Sequence, residues 1–150
     1  MDFHNKIITN SAKETAEAGE RLARHLADSG EGHRILCLYG QLGSGKTTFT
    51  QGFARGLGIT SRLLSPTFII VRRYQIPKKE IHLYHVDLYR LQTVSEMEGI
   101  GLPEIFAIPG SYTVVEWADR LGELAPRKRI DLHFTTAQDD SHTITIEGLV

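Results

Sequence analysis

The chain has 150 residues, of which 41% are hydrophobic and 23% charged, with 17 Lys plus Arg against 18 Asp plus Glu and one cysteine. A chain of this size buries roughly 70% of the surface its unfolded form exposes, which gives one self-sufficient core without room for a second full domain, and its balanced composition excludes extensive disorder and fibrous classes. The near-neutral total conceals a basic middle, seven basic against two acidic residues from Arg55 to Arg90, and an acidic end, four against ten from Leu91 to Val150. That division fits a phosphate-rich docking face as well as it fits solvated or mutually packed surfaces.

The first residues carry no secretory apolar stretch, and no run approaches the roughly 18 apolar residues of a membrane span, so the expected location is the cytoplasm with no membrane partner. Lys6 to Thr9 reads as a short strand. Ser11-Ala12-Lys13-Glu14 is a capping-box pattern before a helix with Ala12, Ala16, Gly19, Leu22, Ala23 and Leu26 on one stripe, closed by Gly30 and Gly32. Arg34 to Tyr39 is a continuous apolar run of strand length, buried on both faces. Within it Cys37 stands alone, which excludes an internal disulfide and a cysteine-based zinc cage and marks it as a small buried hydrophobe. A glycine-rich loop follows, then a helix from Lys46 to Leu57 closed by Gly56 and Gly58.

Beyond the loop at Ser65-Pro66, Thr67 to Ile76 and Ile81 to Leu91 read as strands of a hairpin turned at Pro77-Lys78-Lys79. Ser95 to Met97 and Pro103 to Ala107 are short helical turns separated by Gly99 and Gly101. Tyr112 to Trp117, Ile130 to Thr135 and Thr143 to Glu147 are further strands, the last two joined by a turn at Gln138 to Ser141. The predicted fold is α/β: one three-layer domain of the P-loop NTPase-like kind, with a mixed, partly antiparallel sheet.

Gly40-Gln41-Leu42-Gly43-Ser44-Gly45-Lys46-Thr47 satisfies G-x-x-x-x-G-K-[ST] at every fixed position, between a predicted strand and a predicted helix. Glycines let successive backbone N–H groups turn inward on phosphate oxygens, and the helix presents its positive end to the same anion. Lys46 is expected to reach the β- and γ-phosphates and the Thr47 hydroxyl to ligate Mg²⁺, with Thr48 completing the cradle. A structurally inert glycine turn is the alternative.

Such a loop needs a carboxylate from a second strand to hold the metal. Glu116 ends the apolar run Val114-Val115. Asp87 lies in His85-Val86-Asp87-Leu88-Tyr89-Arg90, where alternation puts His85, Asp87 and Tyr89 on one face, either at a sheet edge or gathered around a site. His82 and His85, three apart on a strand, face opposite ways and do not share a zinc ion; His85 is expected to hydrogen-bond near the nucleotide or in the core. Asp119-Arg120-Leu121-Gly122 matches D-x-x-G, but the guanine-reading Asn-Lys-x-Asp is absent, so adenine is favoured.

With the phosphate loop, Ser65-Pro66-Thr67-Phe68, the run His85 to Arg90 and Glu116-Trp117 in this order, the chain resembles the bacterial TsaE (YjeE) family over nearly its whole length. The resemblance implies an ATPase that uses ATP and Mg²⁺ and joins the TsaB and TsaD proteins to sustain turnover in threonylcarbamoyl-adenosine modification of tRNA. By position it implies Lys46 as the phosphate-binding lysine, Thr47 and Glu116 as the magnesium site, Asp87 as a helper of metal or water, and Thr67 in a switch-like loop. It also implies Trp117 beside the nucleotide, where the residue alone reads as core. The chain departs from the family pattern at Ala118, commonly proline, and at His142, often arginine.

Two other functions stay in view from the residues. A small-molecule kinase would use Arg72, Arg73 and Arg90 on a lid. A nucleotide-regulated RNA-binding module would use the basic segment with Tyr74, Tyr84 and Tyr89. Direct tRNA contact and self-association are open at this point.

Overall fold

The computed structural model describes residues 5–30, 33–41, 43–63 and 70–149. The first strand, β1 (Lys6–Thr9), leads into α1 (Ala12–Ser29), whose amino end is capped by the Ser11 side chain accepting from the Glu14 amide. Glu14 reaches back to the Asn10 amide, and Gly30 closes the helix in the left-handed region at φ 64°. Then follow β2 (Ile35–Tyr39), α2 (Lys46–Gly56), β3 (Val71–Gln75) and β4 (His82–Asp87). The rest comprises α3 (Val94–Gly99), α4 (Leu102–Phe106), β5 (Tyr112–Glu116), a 3₁₀ segment (Ala118–Leu124), β6 (Ile130–Thr136) and β7 (His142–Glu147).

Among the described residues these strands form one seven-stranded sheet in the order β1-β7-β6-β2-β5-β4-β3. The central strands β6, β2, β5 and β4 run parallel, while β1, β7 and β3 pair antiparallel at the two margins. The mixed sheet expected from hairpins around a strand-loop-helix unit is therefore present. Alternation along β2 sends Leu36 and Leu38 to one face and Ile35 and Cys37 to the other. The first face packs under α1 and α2, and the second under α3, α4 and the 3₁₀ segment. Burial pushes the Cys37 thiol up to about 12, the state of an inert core thiol.

Helices α1 and α2 meet at backbone distance. A Cβ at Gly52 would lie 1.8 Å from the Ala16 carbonyl oxygen, and one at Gly19 2.2 Å from that of Phe49. Only glycine permits such an approach. It brings the first turn of α1 beside the loop that opens α2.

Several elements differ from the sequence reading. The α1 stripe is Thr15, Ala18, Gly19, Leu22, Ala23 and Leu26; Ala12 is exposed and Ala16 half-buried. Ala12 is the first residue of the helix and stays exposed, while Thr15 is buried and shares a hydroxyl hydrogen bond with Thr9 at 2.7 Å. The hairpin strands are shorter than expected, because β3 begins at Val71 and β4 ends at Asp87. The predicted strand residues Thr67 to Ile69 lie outside the described residues. The 3₁₀ segment was not foreseen, and it contains the D-x-x-G stretch, with Gly122 breaking its geometry at φ 54°, ψ −123°.

Candidate functional site

The phosphate loop leaves β2 at its carboxyl end and turns into α2 through Gly43 and Gly45, both in the left-handed region at φ 81° and 100°. A side chain at either would be strained there. Among the described residues no side chain caps α2. Its first amides are therefore available to an anion, which the helix dipole also attracts. Ser44 Oγ is buried within the loop without a hydrogen-bond partner among the described residues.

Lys46 opens α2 and is itself buried. Its Nζ donates to the Gly40 carbonyl at 2.5 Å and stands 4.2 Å from the centroid of the Trp117 ring. Burial lowers its pKa, against the raising influence of Glu116, Asp87 and Asp119. An ammonium with this little water responds strongly to an incoming phosphate.

The two carboxylates come from the sheet. Asp87 ends β4, Glu116 ends β5, and the parallel register sets them side by side. Both are buried. The Thr47 hydroxyl donates to Glu116 Oε1 at 3.1 Å, linking α2 to β5 across 69 positions of sequence. Glu116 Oε2 is bonded to His85 Nε2 at 2.5 Å. Asp87 Oδ1 accepts from the Tyr89 amide at 2.9 Å, which turns the chain at the end of β4.

These groups border one cavity of about 480 Å³, lined by Gly43, Gly45, Lys46, Thr47, Thr48, Asp87, Glu116 and Trp117. It lies beyond the carboxyl ends of parallel strands, where ligands of open α/β sheets bind. The donor set fits a metal-bound nucleoside triphosphate. Glycine amides, the helix end and Lys46 suit the phosphates, while one hydroxyl and two carboxylate side chains suit a hard cation.

Of the sequence-predicted site residues, the structure brings Lys46, Thr47, Thr48, Asp87, Glu116 and Trp117 to this cavity. Gly40 contributes the carbonyl that holds Lys46, and the Gln41 carbonyl accepts the Ser44 amide, with Gln41 itself exposed. Leu42 and the Ser65-Pro66-Thr67-Phe68 loop lie outside the described residues. Trp117 corrects the core reading drawn from the residue alone: it is half-buried at the cavity wall, and its ring meets that of Tyr89 at 5.0 Å between centroids. His85 bonds Glu116 beside the site, as one of its two expected roles required.

Sequence reasoning missed Ala12, Thr15, Tyr89 and His142 as lining residues. Tyr89 carried a signal, since it shares the alternating face of Asp87. The others come from the start of α1 and the start of β7, and no local pattern connects them to the loop. Arg72 and Arg73 lie on β3, not on a helical lid.

Among the described residues no helix is long and apolar enough to cross a membrane. The family model described as threonylcarbamoyl adenosine biosynthesis protein TsaE matches residues 9–144. The tRNA threonylcarbamoyladenosine biosynthesis protein TsaE of Bacillus subtilis is 42% identical over 136 residues, covering 91% of this chain and 81% of that protein. Its counterpart from Treponema pallidum is 31% identical over 141 residues, covering 94% and 98% respectively. The crystal structure of Bacillus subtilis YdiB superposes with a TM-score of 0.74 at 32% identity, covering 97% of this chain and 85% of that one.

Proposed function

The chain belongs to the TsaE family of tRNA threonylcarbamoyladenosine biosynthesis proteins, and we propose that it serves that pathway as a magnesium-dependent ATPase acting with the TsaB and TsaD proteins in the cytoplasm. One observation carries the reading: the Thr47 hydroxyl, at the open side of the cavity, is hydrogen-bonded to the buried Glu116 carboxylate, with Asp87 adjacent and the Lys46 ammonium close by. A cation site and a phosphate site thus share one wall of one cavity.

In this reading the amides of Gly43 to Thr48 and Lys46 bind the phosphates, and Thr47, Glu116 and Asp87 hold the magnesium ion. A magnesium ion held there would supply charge neutralisation at the phosphates. Lys46 exchanges its bond to the Gly40 carbonyl for a phosphate oxygen and offsets the negative charge that develops on the leaving side. A carboxylate of the Asp87–Glu116 pair orients the attacking water. Trp117 and Tyr89 wall the mouth and limit bulk water. Turnover then depends on positioning and electrostatics, with no covalent intermediate on the protein.

The test is tRNA threonylcarbamoylation by a competent TsaB and TsaD mixture supplied with the activated threonylcarbamoyl donor and ATP. It is run with this chain, without it, and with Lys46→Ala. Product above one equivalent per complex only with the unaltered chain supports the proposal; equal product in all three reactions sinks it.

A further inference from the structure

We propose that His85 is the positioning residue that turns the Glu116 carboxylate toward the magnesium–nucleotide complex, an inference that rests on reading the site as a magnesium–ATP centre. His85 is 1% exposed and lies in the sheet between Val114 on β5 and Arg72 on β3. A polar ring in such surroundings is costly unless it is hydrogen-bonded. The bond it makes is to Glu116 Oε2, at 2.5 Å.

The direction of that bond follows from the other ring nitrogen. His85 Nδ1 is buried with no partner among the described residues. A proton there would be a buried, unpaired N–H, costing about 1–3 kcal/mol. Nε2 is therefore the nitrogen that carries a proton and donates it to the carboxylate.

The consequence lies in Glu116. The last torsion of a glutamate is broad and roughly two-fold, so an unheld carboxylate samples many orientations. Here the two oxygens are separated by their partners. His85 takes Oε2 from the sheet side, and the Thr47 hydroxyl meets Oε1 from the phosphate-loop side. Oε1 is thus the oxygen presented to the cation that Thr47 also serves. His85 does not line the cavity, so it acts through Glu116 alone. Strand β4 carries His85 two positions before Asp87 on the same face, and the parallel pairing with β5 brings Glu116 beside them.

Removal of a partner that orients a metal ligand typically costs about 10–100-fold in metal affinity. The experiment titrates ATP into the full chain by calorimetry, in excess EDTA and at a series of Mg²⁺ concentrations, for the wild type, His85→Phe and His85→Gln. The phenylalanine variant should keep the wild-type affinity for ATP in EDTA while its Mg²⁺ midpoint rises by about 10–100-fold. Glutamine, whose side-chain amide can donate to Oε2, should recover most of that loss. A wild-type Mg²⁺ midpoint in His85→Phe overturns the proposal. So does an equal loss of ATP affinity with and without Mg²⁺ in both variants, the pattern of a purely structural role. If the wild-type chain binds ATP in EDTA but its affinity ignores Mg²⁺, the magnesium reading of the site fails, and the positioning role with it.

Discussion

The ammonium of Lys46 rests against the face of Trp117, 4.2 Å from the ring centroid. Trp117 reaches that place because its backbone is left-handed, at φ 58°, directly after Glu116. A non-glycine residue in this region costs about 1–3 kcal/mol, and such strain concentrates where function holds it. The strained turn sets the metal-side carboxylate and the lysine-side ring on consecutive residues. A change at Lys46 is therefore felt at Trp117.

Because Trp117 is the chain's one tryptophan, its emission should report nucleotide binding. Phosphates draw Lys46 away from the ring, and the loss of a cation from the indole face alters the emission. Titration with ATP and Mg²⁺ should give a saturable change whose midpoint agrees with calorimetry. Lys46→Met should start from a shifted emission and respond little. Unaltered wild-type emission at a nucleotide concentration that calorimetry shows to be saturating would refute the coupling.

Lys46 should also weaken the empty protein. Burial lowers its folded-state pKa below the unfolded value, so the unfolded chain holds the proton more tightly. The full penalty is present below the folded pKa. Between the folded and unfolded values the unfolded chain binds more protons, and stability rises with pH. Lys46→Met should therefore stabilise the nucleotide-free chain at neutral pH by about 1 kcal/mol, or about 2–4 °C in Tm. That advantage should shrink as the pH rises through the lowered folded pKa toward the unfolded value. Nucleotide should raise the Tm of the wild type alone. A lower Tm for Lys46→Met at neutral pH would show that the bonds to Gly40 and Trp117 outweigh desolvation.

The contrast between what local pattern revealed and what it hid has a physical basis. The phosphate loop is contiguous, so its strand, glycines, Lys46 and Thr47 were legible in one stretch. Asp87 and Glu116 were legible because each interrupts an apolar strand with a charge. Ala12 and Thr15 were not, because close packing of α1 on α2 brings them to the cavity, and His142 was not, because it arrives through pairing of distant strands, opposite Thr9 on β1 and Thr136 on β6. The helical stripe was misplaced at Ala12 because periodicity gives the phase of a helix, not where the sheet beneath it ends. The Ala118–Leu124 segment spaces Ala118, Leu121 and Leu124 three apart against the core, a run too short to stand out as a helix in the sequence. Trp117 followed a strand buried along its whole length, and only its positive φ turns it out of that run.

The α1–α2 contact should tolerate no added carbon. A Cβ at Gly52 would meet the Ala16 carbonyl oxygen at 1.8 Å and its carbonyl carbon at 2.5 Å, both backbone atoms. No rotamer change relieves such a clash, so the helices must separate. Gly52→Ala should destabilise the chain by about 3 kcal/mol or more, at or beyond the upper end for overpacking. It should also loosen the cavity, since Thr15 of α1 and Lys46 of α2 both line it. Urea denaturation measures the first effect and ATP titration the second. Retention of wild-type stability would show that α1 shifts freely.

Neutralising the carboxylates should separate nucleotide binding from metal binding by sign. Asp87 and Glu116 are adjacent across β4 and β5, both buried, and both line the cavity proposed to take the phosphates. Without a cation, two negative charges at this range repel a triphosphate in a poorly screened setting. Asp87→Asn and Glu116→Gln should therefore bind ATP several-fold more tightly than the wild type in EDTA, a gain of roughly 1 kcal/mol each. With Mg²⁺ the order should invert, because the cation then lacks a ligand charge, and hydrolysis in the presence of partners should fall by at least about 100-fold, in line with the loss of a principal electrostatic group. Calorimetry in EDTA and in Mg²⁺ on the same preparations gives both signs directly. If the two variants lost ATP affinity in EDTA as well, the carboxylates would be supporting the loop's structure, and the assignment of this wall to the cation would fall.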